Sequence, residues 1–473
     1  MAEYHQTLVC FLTARRWFDC ERVLGKDLVL QKLWADTPSS PEQATNSKEK
    51  EANVDRVRVL DFRRMASSTH NLDPNIPFPW VMAGSSPRFI PTLRLLEISS
   101  TPRTLILRLQ ELYLQIVIQG HVLCQPFNKD QWDLEISKVS KEARGFAVCI
   151  GLDFGDAGVL SFLAAVGQIS VQIHWETTIK DLPCQAPDVY TDYPRFLRGV
   201  AEWILSREIS RGADATCLAV TAIQDAESVF GGMGPYTVNE VYYLAGLSPF
   251  LTVHEVFGCP SRTARLCEAF WALAHDAHTT LPAFLNPLYH GYVLAATTEQ
   301  RSLFARYLHV HAQSRAYMSP RMKTLRDQYV NTVQSRTAHP ERPFLRNGIG
   351  GLFDVFEPTL IQAALDKPAP VPRLAHLIFG PIEWRVNGGK IPSRPDPLTM
   401  AFKKLGVPPD VATNLELPRY RSQLFLPKEH LTKASSPVDL YQGNESPVSL
   451  WTITPRIPFD VVTTFHTGRK SVG

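Results

Sequence analysis

Apolar residues recur at helical spacing in several long windows of the chain. In YPRFLRGVAEWILSREISRG (193–212), Phe196, Val200, Trp203 and Ile204 fall on one face. In SRTARLCEAFWALAHDAH (261–278), Leu266, Cys267, Phe270, Trp271 and Ala274 do the same. PYTVNEVYYLAGL (235–247) places Thr237 three residues before Glu240, the spacing of a capping box. TPRTLILRLQELYLQIVIQG (101–120) has Pro102 near its start and Gly120 at its end, which predicts a further helix. TTEQRSLFARYLHVHAQSRAYM (297–318) and PRMKTLRDQYVNTVQSR (320–336) continue the pattern, with Ser319-Pro320 between them as cap and first residue. Strand-like runs such as ISVQIHW are confined to the region between Arg144 and Trp175. The fold expected from this pattern is mainly α with minor β.

The pattern also divides the chain. Residues 1–36 read as an apolar opening element. Residues 37–55 (TPSSPEQATNSKEKEANVD) are polar, carry two prolines and lack large apolar side chains, which predicts a mobile loop. Residues 56–366 form a large helical body. Residues 367–473 are expected to be an extended, Pro-rich C-terminal arm with short strands. Proline removes an amide donor and disfavours helix in the residue before it, and 15 prolines follow Lys367. In that region only DPLTMAFKKLG (396–406) has a helical pattern. The arm keeps Trp384, Phe402, Tyr420, Phe425, Trp451 and Phe465, so it is expected to lie along a surface.

Composition narrows the classes. Hydrophobic residues are 44% and charged residues 20%, which excludes wholesale disorder. The net charge is only +3, but 13 lysines and arginines against 8 acids follow Lys367, so the positive excess sits in the arm. The eight cysteines show no CxxC pair and lie mostly among apolar residues; they are expected to be buried free thiols in a reducing compartment. The longest uncharged apolar run, Ala157–Ile173, is shorter than the ~20 residues of a spanning helix. No membrane partner is expected and the compartment is cytoplasmic, or a virion if the protein builds a shell.

Most candidate chemistry has a plainer explanation. Asp153-Phe154-Gly155 is the tripeptide that holds magnesium in protein kinases, but no glycine-rich loop, paired lysine or HRD segment accompanies it. The glycine-rich stretches GGMGPY (231–236) and NGIGGLF (347–353) match no phosphate-loop spacing and read as turns. His275 and His278 share a helix face near Glu268, a possible start of a metal site that lacks HExxH. His311 follows Phe304 and Leu308 on one face, the position of a single axial haem ligand. GxSxG is absent, and no catalytic residue is assigned. Basic pairs interleaved with aromatics occur at Arg15-Arg16, Arg56/Arg58 with Arg63-Arg64, and Arg419/Arg421, a composition suited to nucleic acid without sequence readout.

Two functions are expected on these grounds. The first is a self-assembling structural protein, such as a viral coat or nucleocapsid subunit. Its partners are copies of itself, held through the arm, and nucleic acid, met by scattered arginines. It needs no cofactor. The alternative is a helical enzyme with a buried apolar pocket, dependent on haem or a divalent metal held by His275, His278 or His311.

Overall fold

The structure, a computed structural model, describes residues 3–36, 57–60, 93–165, 171–183, 185–207, 217–247, 251–297, 299–300, 308, 317–318, 374–386, 389–408 and 432–433. They fall in two units: residues 1–185 with 278–303 and 456–473, and residues 186–277 with 304–455.

The first unit overturns the mainly helical expectation. Its strands are β1 (Lys32–Asp36), β2 (Val57–Leu60), β3 (Leu95–Thr101), β4 (Thr104–Leu109), β5 (Leu112–Ile118), β6 (Val122–Phe127), β7 (Ala147–Asp153), β8 (Val159–Ala164) and β9 (Val171–Glu176). They form two antiparallel sheets, in the orders β2-β1-β7-β8-β6 and β3-β4-β5-β9. Strands make up 23% of the described residues, too many for a strand-poor helical protein, and the fold is mixed α and β. The segment 101–120 shows why the expectation failed. Its Leu and Ile residues suit either structure, and Pro102 and Gly120 lie where helix ends belong. Leu109 instead pairs with Leu112 across a two-residue turn, with Gln110 at φ 57. Hairpin pairing then places Leu105, Leu107, Leu114 and Ile116 inside a core shared by both sheets. Of the strand-like run at 169–175, the described residues 171–175 are strand, in β9.

One long helix, α1 (Tyr4–Val23), lies on this core and buries Cys10, Ala14, Trp17 and Phe18 in it. Trp17 donates its indole N–H to the Ala157 carbonyl at 3.2 Å. A small hairpin, β10 (Tyr289–His290) and β11 (Val293–Leu294), is fastened to the same unit. Gln125 donates to the Tyr292 carbonyl and accepts from the Leu294 amide, so one buried side chain satisfies two groups of that hairpin.

The second unit is helical: α2 (Tyr193–Ser206), α3 (Ala219–Asp225), α4 (Pro235–Ala245), α5 (Val253–Phe257), α6 (Pro260–Leu285, of which residues to 277 belong here), α7 (Ala375–Ile378), α8 (Pro381–Val386) and α9 (Pro397–Lys404). The helical windows at 193–212, 235–247 and 261–278 correspond to α2, α4 and α6. Asp192 caps α2 by accepting the Arg195 amide. The capping box expected at Thr237 and Glu240 is not one: both lie inside α4 and are buried, and Gly234 starts the helix. Among the described residues, capping boxes are formed by Thr252/Glu255 and Asn128/Gln131. Tyr193, Phe196, Trp203, Phe230, Phe257 and Phe270 meet one another, mostly edge to face, at 4.7–6.0 Å between ring centroids. Arg265, wholly buried, donates to the Ala245 carbonyl at the C-terminal end of α4, where the helix dipole favours a cation.

The arm is not extended over its described length. Asp396 caps α9 by accepting the Thr399 amide, and α9 packs against α2 with Leu398, Ala401 and Phe402 buried. The expected polar loop at 37–55 lies outside the described residues, as do the helical windows at 301–307 and 320–336.

Gly158 gives a test of this fold. Its φ is +94, and a side chain there would collide with the Phe127 carbonyl. Replacing Gly158 with Ala is expected to destabilise the protein by roughly 2–4 kcal/mol. Chemical denaturation followed by tryptophan fluorescence measures this, and an unchanged midpoint contradicts the packing of that turn.

Candidate nucleic-acid interface

The kinase-like tripeptide is a structural knot. Asp153 is buried; its carboxylate accepts from the Gly155 amide at 2.9 Å, the Trp34 indole at 3.1 Å and the Lys129 ammonium at 2.7 Å. These bonds join β1, β7 and the turn after Phe127, and they use the acceptor positions a metal would need. Asp36 does similar work for Arg144, accepting two hydrogen bonds at 2.7 and 2.6 Å with both side chains buried.

A second polar knot holds the first part of the arm within the helical unit. Glu268 accepts the Leu374 amide at 3.0 Å, and Ser261 donates to the Ile378 carbonyl at 2.6 Å. His376 Nε2 lies 3.1 Å from both Asp396 Oδ2 and Thr399 Oγ1, and the Thr399 hydroxyl donates to the same Asp396 oxygen. Burial pushes the Asp396 carboxyl up, but the hydrogen bonds from His376 and Thr399 more than offset this and hold it below its ordinary value. Burial and the neighbouring Glu268 carboxylate push the Tyr193 phenol and the Cys267 thiol well up, so neither is an ionised nucleophile.

The expected metal ligands are engaged elsewhere. His278 Nε2 is 3.0 Å from the Tyr4 hydroxyl. His275 packs against Trp271, at 5.0 Å, and Tyr190, at 5.8 Å. His311 lies outside the described residues. Among the described residues no group of three His, Cys, Asp or Glu side chains is placed to hold a metal. The GGMGPY turn is buried ahead of α4, and NGIGGLF lies outside the described residues. Among the described residues the cysteines are free but not uniformly buried: Cys10, Cys124 and Cys267 are buried, whereas Cys20, Cys149, Cys217 and Cys259 are half-buried; Cys184 lies outside the described residues. Among the described residues no helix is long and apolar enough to cross a membrane.

The exposed face of α1 is the clearest site. Positions 15, 16, 19, 22 and 23 share one side of a helix, opposite the buried Ala14, Trp17 and Glu21. Arg15 pairs with Asp19 at 2.9 Å and lies over the Phe18 ring at 5.6 Å. Arg16 lies 4.6 Å over the Tyr289 ring and donates to Asn286 Oδ1 at 2.9 Å. Arg22 lies 5.3 Å over the same Phe18 ring. Among the described residues neither Arg16 nor Arg22 meets a carboxylate. Lys26, just past the helix, pairs with Glu21 at 2.8 Å. The Tyr292 hydroxyl also donates to Glu21, which keeps that buried acid turned inward.

Of the arginines expected to touch nucleic acid, the structure thus brings Arg15 and Arg16 to one exposed surface. Arg58 lies in β2, opposite Ala35. Arg56, Arg63, Arg64, Arg419 and Arg421 lie outside the described residues. Arg22 completes the surface and was missed by sequence reasoning; its spacing of i+7 from Arg15 was the available signal. Of the arm aromatics, Phe402 is buried against the chain's own α2. Trp384 stacks on Phe379 at 12° and donates to the Lys390 carbonyl. Tyr420, Phe425, Trp451 and Phe465 lie outside the described residues.

No protein-family model matches the chain, and no curated protein matches it. Solved structures overlap it only weakly, among them these two. One is a Lactococcus lactis FPG mutant bound to DNA containing Fapy-dG: identity is 13%, 44% of this chain and 69% of that chain are covered, and the TM-score is 0.29. The other is a complex of the LlFpg protein with THF-DNA and an inhibitor, at 14% identity and TM-score 0.28, covering 39% of this chain and 61% of that one. The chain thus spans about three fifths of the length of that protein. Overlap at this level shows neither a shared fold nor a shared chemistry.

The Asp396 knot predicts a pH dependence. A carboxyl held below its unfolded value, ~3.9, adds stability above that pH. The stability is lost as pH falls through the lower, folded value. Denaturation midpoints are therefore expected to fall with pH below about 4. Asp396→Asn keeps a cap for Thr399 and should flatten that acid slope while lowering stability at pH 7 by ~1–3 kcal/mol. An unchanged slope in the variant contradicts the assignment.

Proposed function

We propose that the protein binds the phosphate backbone of nucleic acid through the exposed face of α1. One observation carries this: Arg16 and Arg22 are laid over aromatic rings, Arg16 is also bonded to the neutral Asn286, and no carboxylate takes up the charge of either among the described residues. A guanidinium stacked on a ring has already lost most of its conformational freedom, and its outward N–H groups suit phosphate oxygens. Meeting a phosphate then costs little further ordering. Arg15, drawn to Asp19, contributes less. The face carries three arginines against one acid, a modest excess. It supports backbone contact without base readout. The reading keeps the nucleic-acid part of the sequence-based expectation and does not require a shell.

The test is fluorescence anisotropy with a labelled oligonucleotide, duplex or single-stranded, over a range of salt. Affinity is expected to fall with salt at a slope of about two to three on logarithmic axes, one for each arginine engaged. The double change Arg16→Glu with Arg22→Glu should weaken binding at least tenfold at low salt and remove most of that slope. Equal binding by the variant overturns the site, and no binding by the unaltered protein overturns the function.

A further inference from the structure

The phosphate-contacting face ends in an apolar tip. Val23 is 88% exposed and Leu24 64%, and they are consecutive where α1 stops. Gly25 then turns the chain at φ +70, and nothing stands within 4 Å of where its side chain would be. The tip therefore projects into solvent. Arg22 precedes it in the helix; beyond the turn Lys26 is paired with Glu21 at 2.8 Å and Asp27 with Arg94 at 3.0 Å. Single exposed aliphatic residues are ordinary on a protein surface; what sets Val23 and Leu24 apart is that they are adjacent and continue the basic face of α1.

Resting on the nucleic-acid reading above, we propose that Val23 and Leu24 form a wedge that enters an interrupted base stack, such as a bulge, mismatch or gap, while Arg16 and Arg22 hold the flanking phosphates. Apolar side chains enter base steps in this manner, and they do so most readily where stacking is already broken. The continuity of the tip with the arginine face favours this occupant. Val23 lies on the same side of α1 as Arg15, Arg16 and Arg22, so phosphates held there would bring bases to the tip. A lipid surface is disfavoured, since two small aliphatic residues without an interfacial aromatic bury little in a bilayer.

The experiment uses the full chain and three labelled DNAs: an intact duplex, the same duplex with a central two-nucleotide bulge, and one with a single-nucleotide gap. Each carries 2-aminopurine beside the interruption. The unaltered protein is expected to bind the bulged and gapped duplexes about tenfold more tightly than the intact one and to raise 2-aminopurine fluorescence. Val23→Ser with Leu24→Ser should bring that preference to about onefold and abolish the fluorescence rise, with the thermal midpoint unchanged. Equal affinity of the unaltered protein for all three duplexes overturns the wedge while leaving the backbone reading intact. Retention of the preference by the Val23/Leu24 variant overturns it as well. Absence of binding to any duplex overturns both. Flotation with vesicles of phosphatidylserine and phosphatidylcholine, seen for the unaltered protein and lost in the Val23/Leu24 variant, overturns the wedge in favour of a lipid surface.

Discussion

Burial of one side of α1 in the sheet core is the constraint on which the first unit depends. Cys10, Ala14, Trp17 and Phe18 fill the space over the two sheets, and Trp17 is tied to the Ala157 carbonyl. A helix so pinned has no freedom to roll. Its opposite side must therefore present Arg15, Arg16, Arg22 and Val23 to solvent. Phe18 serves both roles, since its ring is buried while Arg15 and Arg22 lie over it. The core and the candidate interface share that residue, and a change that loosens the first would disorder the second.

Buried carboxylates do the long-range joining. Asp36, Asp153, Glu21, Glu268 and Asp396 each accept hydrogen bonds from groups far apart in the chain. A buried carboxylate left unpaired is costly, so each one fixes its partners firmly. Thiols and phenols elsewhere in the first unit are held neutral by burial: the Cys10 thiol is pushed up to about 12, and the Tyr289 phenol likewise to about 12. Tyr289 thus remains a neutral ring under Arg16 at physiological pH, and a hydrogen-bond partner for Thr13 at 2.9 Å. Ionised, it would become a counter-ion for Arg16 and compete with a phosphate.

Much of the helical unit was legible. Apolar periodicity located α2 and α6, and the helical pattern at 396–406 located α9, because those signals are local; α4 was placed on a capping-box spacing that its actual start at Gly234 does not use. The β4–β5 hairpin was not, because leucine and isoleucine at 105–116 satisfy helix and strand alike and only pairing with neighbours decides. The knots were not legible either: Asp36 meets Arg144 across 108 residues, and nothing local announces it. At the candidate site the pair Arg15-Arg16 was visible as a basic cluster. Its significance was hidden, since Arg16 takes its orientation from Asn286, 270 residues away. Val23 and Leu24 looked like ordinary helix residues until the fold left them outside.

Magnitudes bear on whether so small a face can do more than bind weakly. Two or three phosphate contacts alone correspond to non-specific affinities in the range of ~10⁻⁴–10⁻⁶ M. Removing the exposed parts of Val23 and Leu24 from water is worth about 2–4 kcal/mol in total. Opening an intact base step costs a few kcal/mol, so on perfect duplex the two terms roughly cancel and the tip adds nothing. Where the stack is already broken, that opposing term largely disappears and the apolar term remains. A surplus of only 1.4 kcal/mol is a tenfold preference. Arginines that hold any backbone and a tip that gains only at interruptions would together make a weak general binder selective for one feature of shape, without a single hydrogen bond to a base edge.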